Sequence, residues 1–283
     1  MSSPSPALPL KIGAEIVGTF LLVFLGCGAV HSAVLTGSLN GLYQVGIVWG
    51  VAIMMAVFTV GRVSGAHINP AITIGLAMWR MMNWRDVPGY IFGQMLGAFL
   101  AAAALFVIFQ DDLAAKESDR GVTRGEPKSI ITAMCYGEYF PNPGGMADAE
   151  GPLSDEEFSS WAAKSNLLAA ILAEVLGTAI LAFVVVGVTD PKNDGSPGQL
   201  APAIIGMTVA VLICVIAPIT QACFNPARDY GPRLFAFIAG WKEAAIPGPN
   251  GWNILTVYLL APICGSVLGM GLYKGLFARS SDE

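Results

Sequence analysis

The chain has 283 residues, of which 54% are hydrophobic and only 12% charged, with a net charge of −5 and a mean hydropathy of +0.63. Soluble domains carry about 25% charged residues, so the composition excludes an ordinary soluble enzyme and predicts an integral membrane protein. No basic stripe is present that would bind nucleic acid.

In chain order, six apolar segments are long enough to cross a hydrocarbon core of about 30 Å as helices. They are residues 12–35, 42–60, 87–109, 166–189, 200–220 and 254–277. Two further apolar pieces, 69–79 and 225–239, are too short and would cross roughly half of a bilayer at about 1.5 Å per residue. The predicted fold is therefore an all-α membrane protein with six transmembrane helices and two re-entrant half-helices.

An acidic insert, residues 111–165, separates the third and fourth predicted spans. It holds eleven acidic and five basic side chains, which accounts for the negative charge of the chain. Ser154 precedes three acidic residues, a pattern that predicts a short capped helix. We expect the insert as a whole to be a solvated extracellular cover, and the sequence leaves open whether it forms a vestibule or a lid.

The orientation in the membrane is predicted from the basic residues near the ends of the spans. The first loop, 36–41, has no charge and lies on the same side as the acidic insert. The opposite side carries the basic residues, so both termini, including the tail 278–283, are predicted to be cytoplasmic. These residues are Lys11, Arg62, Arg80, Arg85, Lys192, Lys274 and Arg279.

Two motifs occur twice, which indicates an internal repeat. Residues 14–19 (AEIVGT) recur as 173–178 (AEVLGT), and Asn-Pro-Ala at 69–71 recurs at 225–227. Each half contains three spans, an odd number, so the halves must lie in opposite orientations. Inverted repeats with broken helices commonly form a pathway at their interface. We therefore predict one channel domain over 1–283, with 11–110 as the first repeat and 166–277 as the second.

The repeated Asn-Pro-Ala motifs predict the start of each half-helix. Asn69 and Asn225 suit the N-cap, and Pro70 and Pro226 suit the first helical position. Two helix N-termini that point together make a positive centre, which repels cations. If each asparagine oxygen caps its own helix, the two NH2 groups face the pore as donors.

Non-helical backbone at membrane depth is tolerated where it is buried or lines a water-filled path. The stretches before the two asparagines are of this kind, and their carbonyl groups would offer acceptors to a passing solute. The residues predicted to line the pore are Gly65, Ala66, His67, Ile68, Gln221, Cys223 and Phe224.

Residues 64–71 and 224–229, together with the repeated motifs, closely resemble the major intrinsic proteins, the aquaporin and glycerol-facilitator family. The resemblance covers roughly residues 11–277 and is greatest to bacterial aquaglyceroporins. It implies a homotetramer in the plasma or inner membrane, with one pore per subunit. In the family, equivalents of Glu15 and Glu174 accept backbone N–H groups of the re-entrant loops, and an equivalent of His67 lines the cytoplasmic half of the pore.

The resemblance also places a selectivity filter at Trp49, Ile213, Ala222 and Arg228. Arg228 opposes the helix dipole where it stands, which favours a functional role. Trp49 and Asp229 are typical of glycerol facilitators, and Asp229 also has a helical partner in Arg233. Ile213 and Ala222 depart from the facilitator pattern of Gly and Phe, and this filter resembles that of plant nodulin-type channels.

The favoured function is a passive channel for glycerol and other small uncharged solutes, which passes water and excludes ions and protons. The filter departures leave a channel for water, ammonia or undissociated metalloid hydroxides as an alternative. A coupled secondary transporter would need an acid at the midplane, for which Glu15 and Glu174 are the only candidates. An enzyme is not expected, because no nucleophile, metal cluster or phosphate loop is evident, and neither a metal nor a cofactor is implied.

Overall fold

The computed structural model describes residues 6–277, so the predicted tail 278–283, with Arg279, lies outside the described residues. Within residues 6–277 the chain is helical and contains no β-strand. In chain order the helices are α1 (Leu8–His31), α2 (Leu42–Ser64), α3 (Pro70–Met78), α4 (Val87–Asp119), α5 (Ile130–Ala133), α6 (Gly144–Asp148), α7 (Asp155–Ala162), α8 (Leu167–Thr189), α9 (Ala201–Thr220), α10 (Pro226–Ala236), α11 (Asn253–Leu255) and α12 (Ala261–Leu276).

The described residues contain six helical runs that are long and apolar enough to cross a membrane, as predicted. They are Leu8–Thr36, Leu42–Ser64, Val87–Asp119, Leu167–Thr189, Gly198–Thr220 and Asn253–Leu276. The third run continues ten residues beyond its predicted end at residue 109. The apolar run predicts where the bilayer ends, but residues 111–119 still favour a helix because Ala, Lys and Glu are good helix formers.

The packing of the helices repeats between the two halves of the chain. In the first half α1 packs against α2 and α4, and in the second half α8 packs against α9 and α12. Glycines allow α4 to approach α1 closely, and glycines likewise allow α12 to approach α8 closely. A Cβ at Gly93 of α4 would lie 2.9 Å from the Ile12 carbonyl oxygen, and one at Gly269 of α12 would overlap the Ala179 carbonyl. Small residues at such crossings let helix backbones approach closely in a membrane.

Helices α2 and α9 join the two halves, and they cross at a pair of glycines. A Cβ at Gly50 would lie 2.7 Å from the Gly206 carbonyl oxygen, and a Cβ at Gly206 would overlap the Gly50 carbonyl. Both carbonyl oxygens belong to the backbone, so they cannot move aside as a flexible side chain could. The crossing therefore fixes the distance between the halves.

We expect Gly206→Ala to destabilise the protein by about 1–3 kcal/mol through overpacking, measured as a lower thermal midpoint in detergent. The matched control is Gly13→Ala in α1, where an added Cβ meets nothing within 4 Å. Alanine is the better helix former, so the control should be neutral or stabilising. Equal midpoints for the two variants would show that the α2–α9 crossing tolerates a wider separation.

The acidic insert is partly buried, whereas the sequence predicted that the insert as a whole is solvated. Residues 129–140 are buried, and α7 begins after Ser154, whose hydroxyl accepts the Glu157 N–H as the capping pattern predicted. Ion pairs join the parts of the insert: Arg120 with Glu157 at 3.1 Å, and Lys128 with Asp155 at 2.8 Å. The physical reason for the burial is the apolar stretch from Ile130 to Phe140, which the net acidity of the insert conceals.

Candidate functional site

A cavity of about 1160 Å³ passes between the two halves of the chain. Thr36, Asn40 and Asp148 line it on the side of the insert, and Leu76 and Thr189 line it on the opposite side. Residues from both ends of the bundle therefore line the cavity.

The two half-helices meet in the middle of this cavity, and their asparagines bond across to each other's loop. The Asn69 oxygen accepts the Ala71 N–H at 2.8 Å, while its Nδ2 donates to the Phe224 carbonyl at 2.8 Å. The Asn225 oxygen accepts the Ala227 N–H at 3.0 Å, while its Nδ2 donates to the Ile68 carbonyl at 2.8 Å.

This exchange changes the expectation that both NH2 groups face the pore. An NH2 group has two hydrogens, and one of each pair is used across the midplane, so each asparagine keeps a single hydrogen for a solute. Both asparagines line the cavity. Pro70, Ala71, Pro226 and Ala227 are the first buried residues of their half-helices.

Glu15 holds the first re-entrant loop from its buried position in α1. Its carboxylate accepts the His67 N–H at 3.0 Å and the Ile68 N–H at 2.7 Å. It also accepts the Ser64 hydroxyl at 2.6 Å and the Gln94 amide at 2.7 Å. Four donors therefore converge on one carboxylate, which compensates for its burial.

Glu174 holds the second loop in the same way. It accepts the Cys223 N–H at 3.0 Å, the Phe224 N–H at 2.8 Å and the Thr220 hydroxyl at 2.6 Å. The N–H groups of both loops are turned to these carboxylates, and the Ile68 and Phe224 carbonyls accept the asparagine amides. We infer that the other loop carbonyls remain for the cavity. Glu15 and Glu174, which occupy equivalent positions in the sequence repeat, therefore each accept two consecutive N–H groups of a re-entrant loop.

Unusual backbone conformations accompany these contacts. Ala66 and Ile68 in the first loop have φ of 47° and 44°, and Ala222 and Phe224 in the second have 65° and 53°. Such left-handed conformations cost a non-glycine residue about 1–3 kcal/mol and persist where the surroundings impose them. Here the two glutamates impose them.

The seven residues predicted to line the pore all border the cavity, although two do so mainly through their backbone. Cys223 Sγ donates to the Asn225 carbonyl at 3.3 Å, and the ring of Phe224 fills the space beside Gly177. His67 Nδ1 lies 3.2 Å from the Thr73 hydroxyl oxygen.

The four residues predicted to form the filter also border the cavity. The Arg228 guanidinium carbon lies 4.5 Å from the centroid of a Trp49 ring. That ring occupies the space beside Gly26, where a Cβ would overlap it. A cation held against an indole face is stabilised by the ring quadrupole. The arrangement places a strong hydrogen-bond donor beside an apolar wall.

The insert supplies two partners of Arg228 that the sequence interpretation missed. The Tyr136 carbonyl accepts from Nη1 at 3.3 Å, and Glu138 Oε1 lies 2.5 Å from Nη2. Burial raises the pKa of Glu138, and the positive charge of Arg228 is the strongest influence in the opposite direction. The signal that could have indicated Glu138 is an acid within the apolar stretch 130–140.

Asp229 connects the half-helix α10 to the insert through hydrogen bonds. Its carboxylate accepts the Glu138 N–H at 2.7 Å and the Arg233 Nε–H at 3.0 Å. Arg233 in turn donates to the Ala245 carbonyl at 2.8 Å and to the Glu138 carbonyl. Asp229 is fully buried and does not border the cavity.

Known proteins resemble this chain over nearly its whole length. Residues 5–273 match the family described as Major intrinsic protein. The glycerol uptake facilitator protein of Pseudomonas aeruginosa is 35% identical over 98% of this chain and 92% of its own length. The glycerol uptake facilitator protein of Escherichia coli is 34% identical over 94% and 87%. The propanediol uptake facilitator of Citrobacter freundii is 34% identical over 94% and 91%.

Among solved structures, the aquaglyceroporin from Plasmodium falciparum superposes with a TM-score of 0.79. The match covers 98% of this chain and 99% of the other at 24% identity. At 24% identity, this structural similarity is evidence for a shared fold alone.

Proposed function

The chain belongs to the major intrinsic protein family, and from that premise we propose that it conducts glycerol and other small uncharged solutes across a membrane. Aquaglyceroporins of this family are passive channels, so the protein is a multi-pass membrane channel and not an enzyme. The relatives named for glycerol and propanediol uptake support this substrate class.

The observation that carries the proposal is the pairing of Arg228 with Trp49 at the cavity wall. A polyol has hydroxyl groups that accept hydrogen bonds from a guanidinium and a carbon chain that fits an apolar wall. An ion would exchange its hydration shell for an apolar ring and a positive charge. The same wall therefore favours a small polyol and disfavours a cation.

Water is proposed as a co-permeant, and ions and protons as excluded. The half-helices present their N-termini to the centre of the cavity, where the asparagine caps hold them. Their dipoles make this centre positive, and the asparagine amides donate to a passing oxygen. A fixed donor at that point disfavours the reorientation that a proton relay needs.

Glu15 and Glu174 are proposed to support the loops and not to couple transport. A secondary transporter needs an ionisable site that is free to bind and release an ion or proton. Glu15 accepts four hydrogen bonds and Glu174 accepts three. Carboxylates engaged in this way favour a passive channel.

We propose a homotetramer in the plasma or inner membrane, with both termini cytoplasmic. The side opposite the insert carries Lys11, Arg62, Arg80, Arg85 and Lys192, as cytoplasmic ends usually do. Exposed apolar side chains on the spans face lipid or neighbouring subunits; Phe58, Val107, Leu176 and Val215 are among them.

Ile213 and Ala222 support a second candidate, a pore that favours water, ammonia or undissociated metalloid hydroxides. Both border the cavity, and Ile213 occupies space that a glycine would leave empty. Ranking the solutes by flux decides between the candidates.

The function is tested by stopped-flow measurements on proteoliposomes, which compare water, glycerol and larger polyols. We expect glycerol flux well above that of empty vesicles, and a reduced flux in Ile213→Trp because the larger ring narrows the cavity. Glycerol flux equal to that of empty vesicles would overturn the proposal. Dependence on a proton or sodium gradient would favour a coupled transporter instead.

A further inference from the structure

The insert contributes a residue to the lining of the cavity. Met134, the residue after α5, is 4% exposed and borders the cavity together with Trp49 and Ala222. We propose that Met134 is a further specificity-determining residue, which limits the length and breadth of the polyols that pass. This inference rests on the proposed function and extends its filter to the insert.

The first support is the contact between the backbone around Met134 and Gln221, the neighbour of Ala222. The Met134 carbonyl accepts the Gln221 side-chain amide at 3.4 Å. The oxygen of the same amide accepts the Tyr139 N–H at 2.9 Å. Gln221 thus holds both ends of the segment 134–139, and Met134 is fixed next to the position where glycerol facilitators carry a large ring.

The second support is that the same segment contacts the other elements of the filter. Tyr136 and Glu138 bind the Arg228 guanidinium. Further along the insert, Asn142 donates to the Ala217 carbonyl of α9 at 2.8 Å, one turn from Ile213. The segment 134–142, which begins with Met134, therefore contacts all three elements that carry Ile213, Ala222 and Arg228.

The third support is the small size of Ala222. A methyl group at this position leaves space that a phenyl ring would fill, and a neighbouring side chain can take it. Methionine is unbranched and adapts to irregular gaps. A methionine side chain adds apolar surface and contains no polar group that needs a hydrogen-bond partner. The filter thus has an apolar wall from the insert instead of a ring from the re-entrant loop.

The experiment compares Met134→Ala with Met146→Ala in proteoliposomes, using glycerol and the longer polyols ribitol and xylitol. Met146 is the matched control, since it lies in the same insert, is 5% exposed and does not border the cavity. We expect Met134→Ala to raise the ratio of xylitol to glycerol flux by roughly tenfold, the lower end of the discrimination that a pocket contact provides. Met146→Ala should keep the wild-type ratio.

A double-mutant cycle locates Met134 relative to Ala222. Ala222→Phe alone should lower the flux of all polyols, because the ring and Met134 compete for one space. Adding Met134→Ala should restore much of that flux, so the two changes should be strongly non-additive. Additive effects would overturn the assignment, as would equal flux ratios in Met134→Ala and Met146→Ala.

Met134→Phe, which adds volume at the same place, serves if the alanine variant does not fold. It should lower the xylitol to glycerol ratio, and an unchanged ratio would equally overturn the assignment. Absent glycerol flux in the wild type overturns the proposed function and the inference with it, whereas glycerol flux with an unaltered ratio overturns the inference alone.

Discussion

Arg228→Val should raise proton and cation leak by at least about tenfold in vesicles that contain an equal amount of folded channel. One unit charge about 10 Å from a passing cation contributes about 1.7 kcal/mol at an effective dielectric constant of about 20. Arg228 borders the cavity and is closer to the path than that. The helix N-termini would still oppose cations, so the leak should remain far below that of an ion channel.

The variant has to be designed around Glu138, which lies 2.5 Å from the guanidinium. Removing one partner of a buried ion pair leaves an uncompensated charge and costs about 3–5 kcal/mol. We therefore expect Arg228→Val alone to be unstable, and the double variant R228V/E138Q to recover much of the stability. Proton leak is then measured on the double variant, in vesicles loaded with a pH-sensitive dye. Because this variant is folded, its leak reports on the loss of charge exclusion and not on unfolding.

Glu138→Gln alone is the control for this experiment. It keeps an acceptor for Arg228 and removes only the negative partner of the guanidinium, so its proton leak should be no higher than that of the wild type. If R228V/E138Q leaks no more than E138Q, Arg228 does not contribute to charge exclusion. If Arg228→Val is as stable as the wild type, the ion pair is not a structural requirement.

Glu174→Ala and Glu15→Ala should each abolish solute flux because the channel fails to fold or assemble. A buried donor left without an acceptor costs about 1–3 kcal/mol. Glu174 accepts three donors, so its removal should cost about 3–9 kcal/mol, comparable to the whole stability of a typical domain. Glu15 accepts four donors, and we expect an effect at least as large.

Glu174→Gln separates lost hydrogen bonds from lost charge. The remaining carbonyl oxygen can still accept from Thr220 and Cys223, while the new NH2 group faces the Phe224 N–H. Its thermal midpoint should therefore lie between those of the wild type and Glu174→Ala. Glu156→Ala, at an exposed acid of α7, is the neutral control. A stable, conducting Glu174→Ala protein would show that the loop keeps its conformation without the carboxylate.

The spans, the half-helices and the duplicated motifs could be predicted because each depends on residues close in sequence. Hydropathy determines where the chain crosses the membrane, and Asn69-Pro70 and Asn225-Pro226 carry the start signals of their helices. The end of α4 was predicted too early, because an apolar run indicates which residues lie in the bilayer and not where the helix ends. The pairing of Glu15 with one loop and Glu174 with the other came from the family resemblance and not from spacing.

The contacts of the insert could not be predicted, because they join residues about ninety positions apart. Nothing local to Glu138 specifies that its side chain meets Arg228 or that its N–H meets Asp229. Net acidity suggested a solvated segment, and an average over 55 positions concealed the apolar stretch that begins at Ile130. Reading that stretch separately would have predicted its burial, although not its partners.

The reciprocal bonds of Asn69 and Asn225 have a consequence for how this protein can move. Each amide is bonded to the loop of the opposite repeat, to Phe224 in one case and to Ile68 in the other. Alternating access by rocking one repeat against the other would have to break both bonds at once. The two crossed bonds therefore oppose a rocking motion at the midplane, and we expect any change of conductance to arise elsewhere along the cavity.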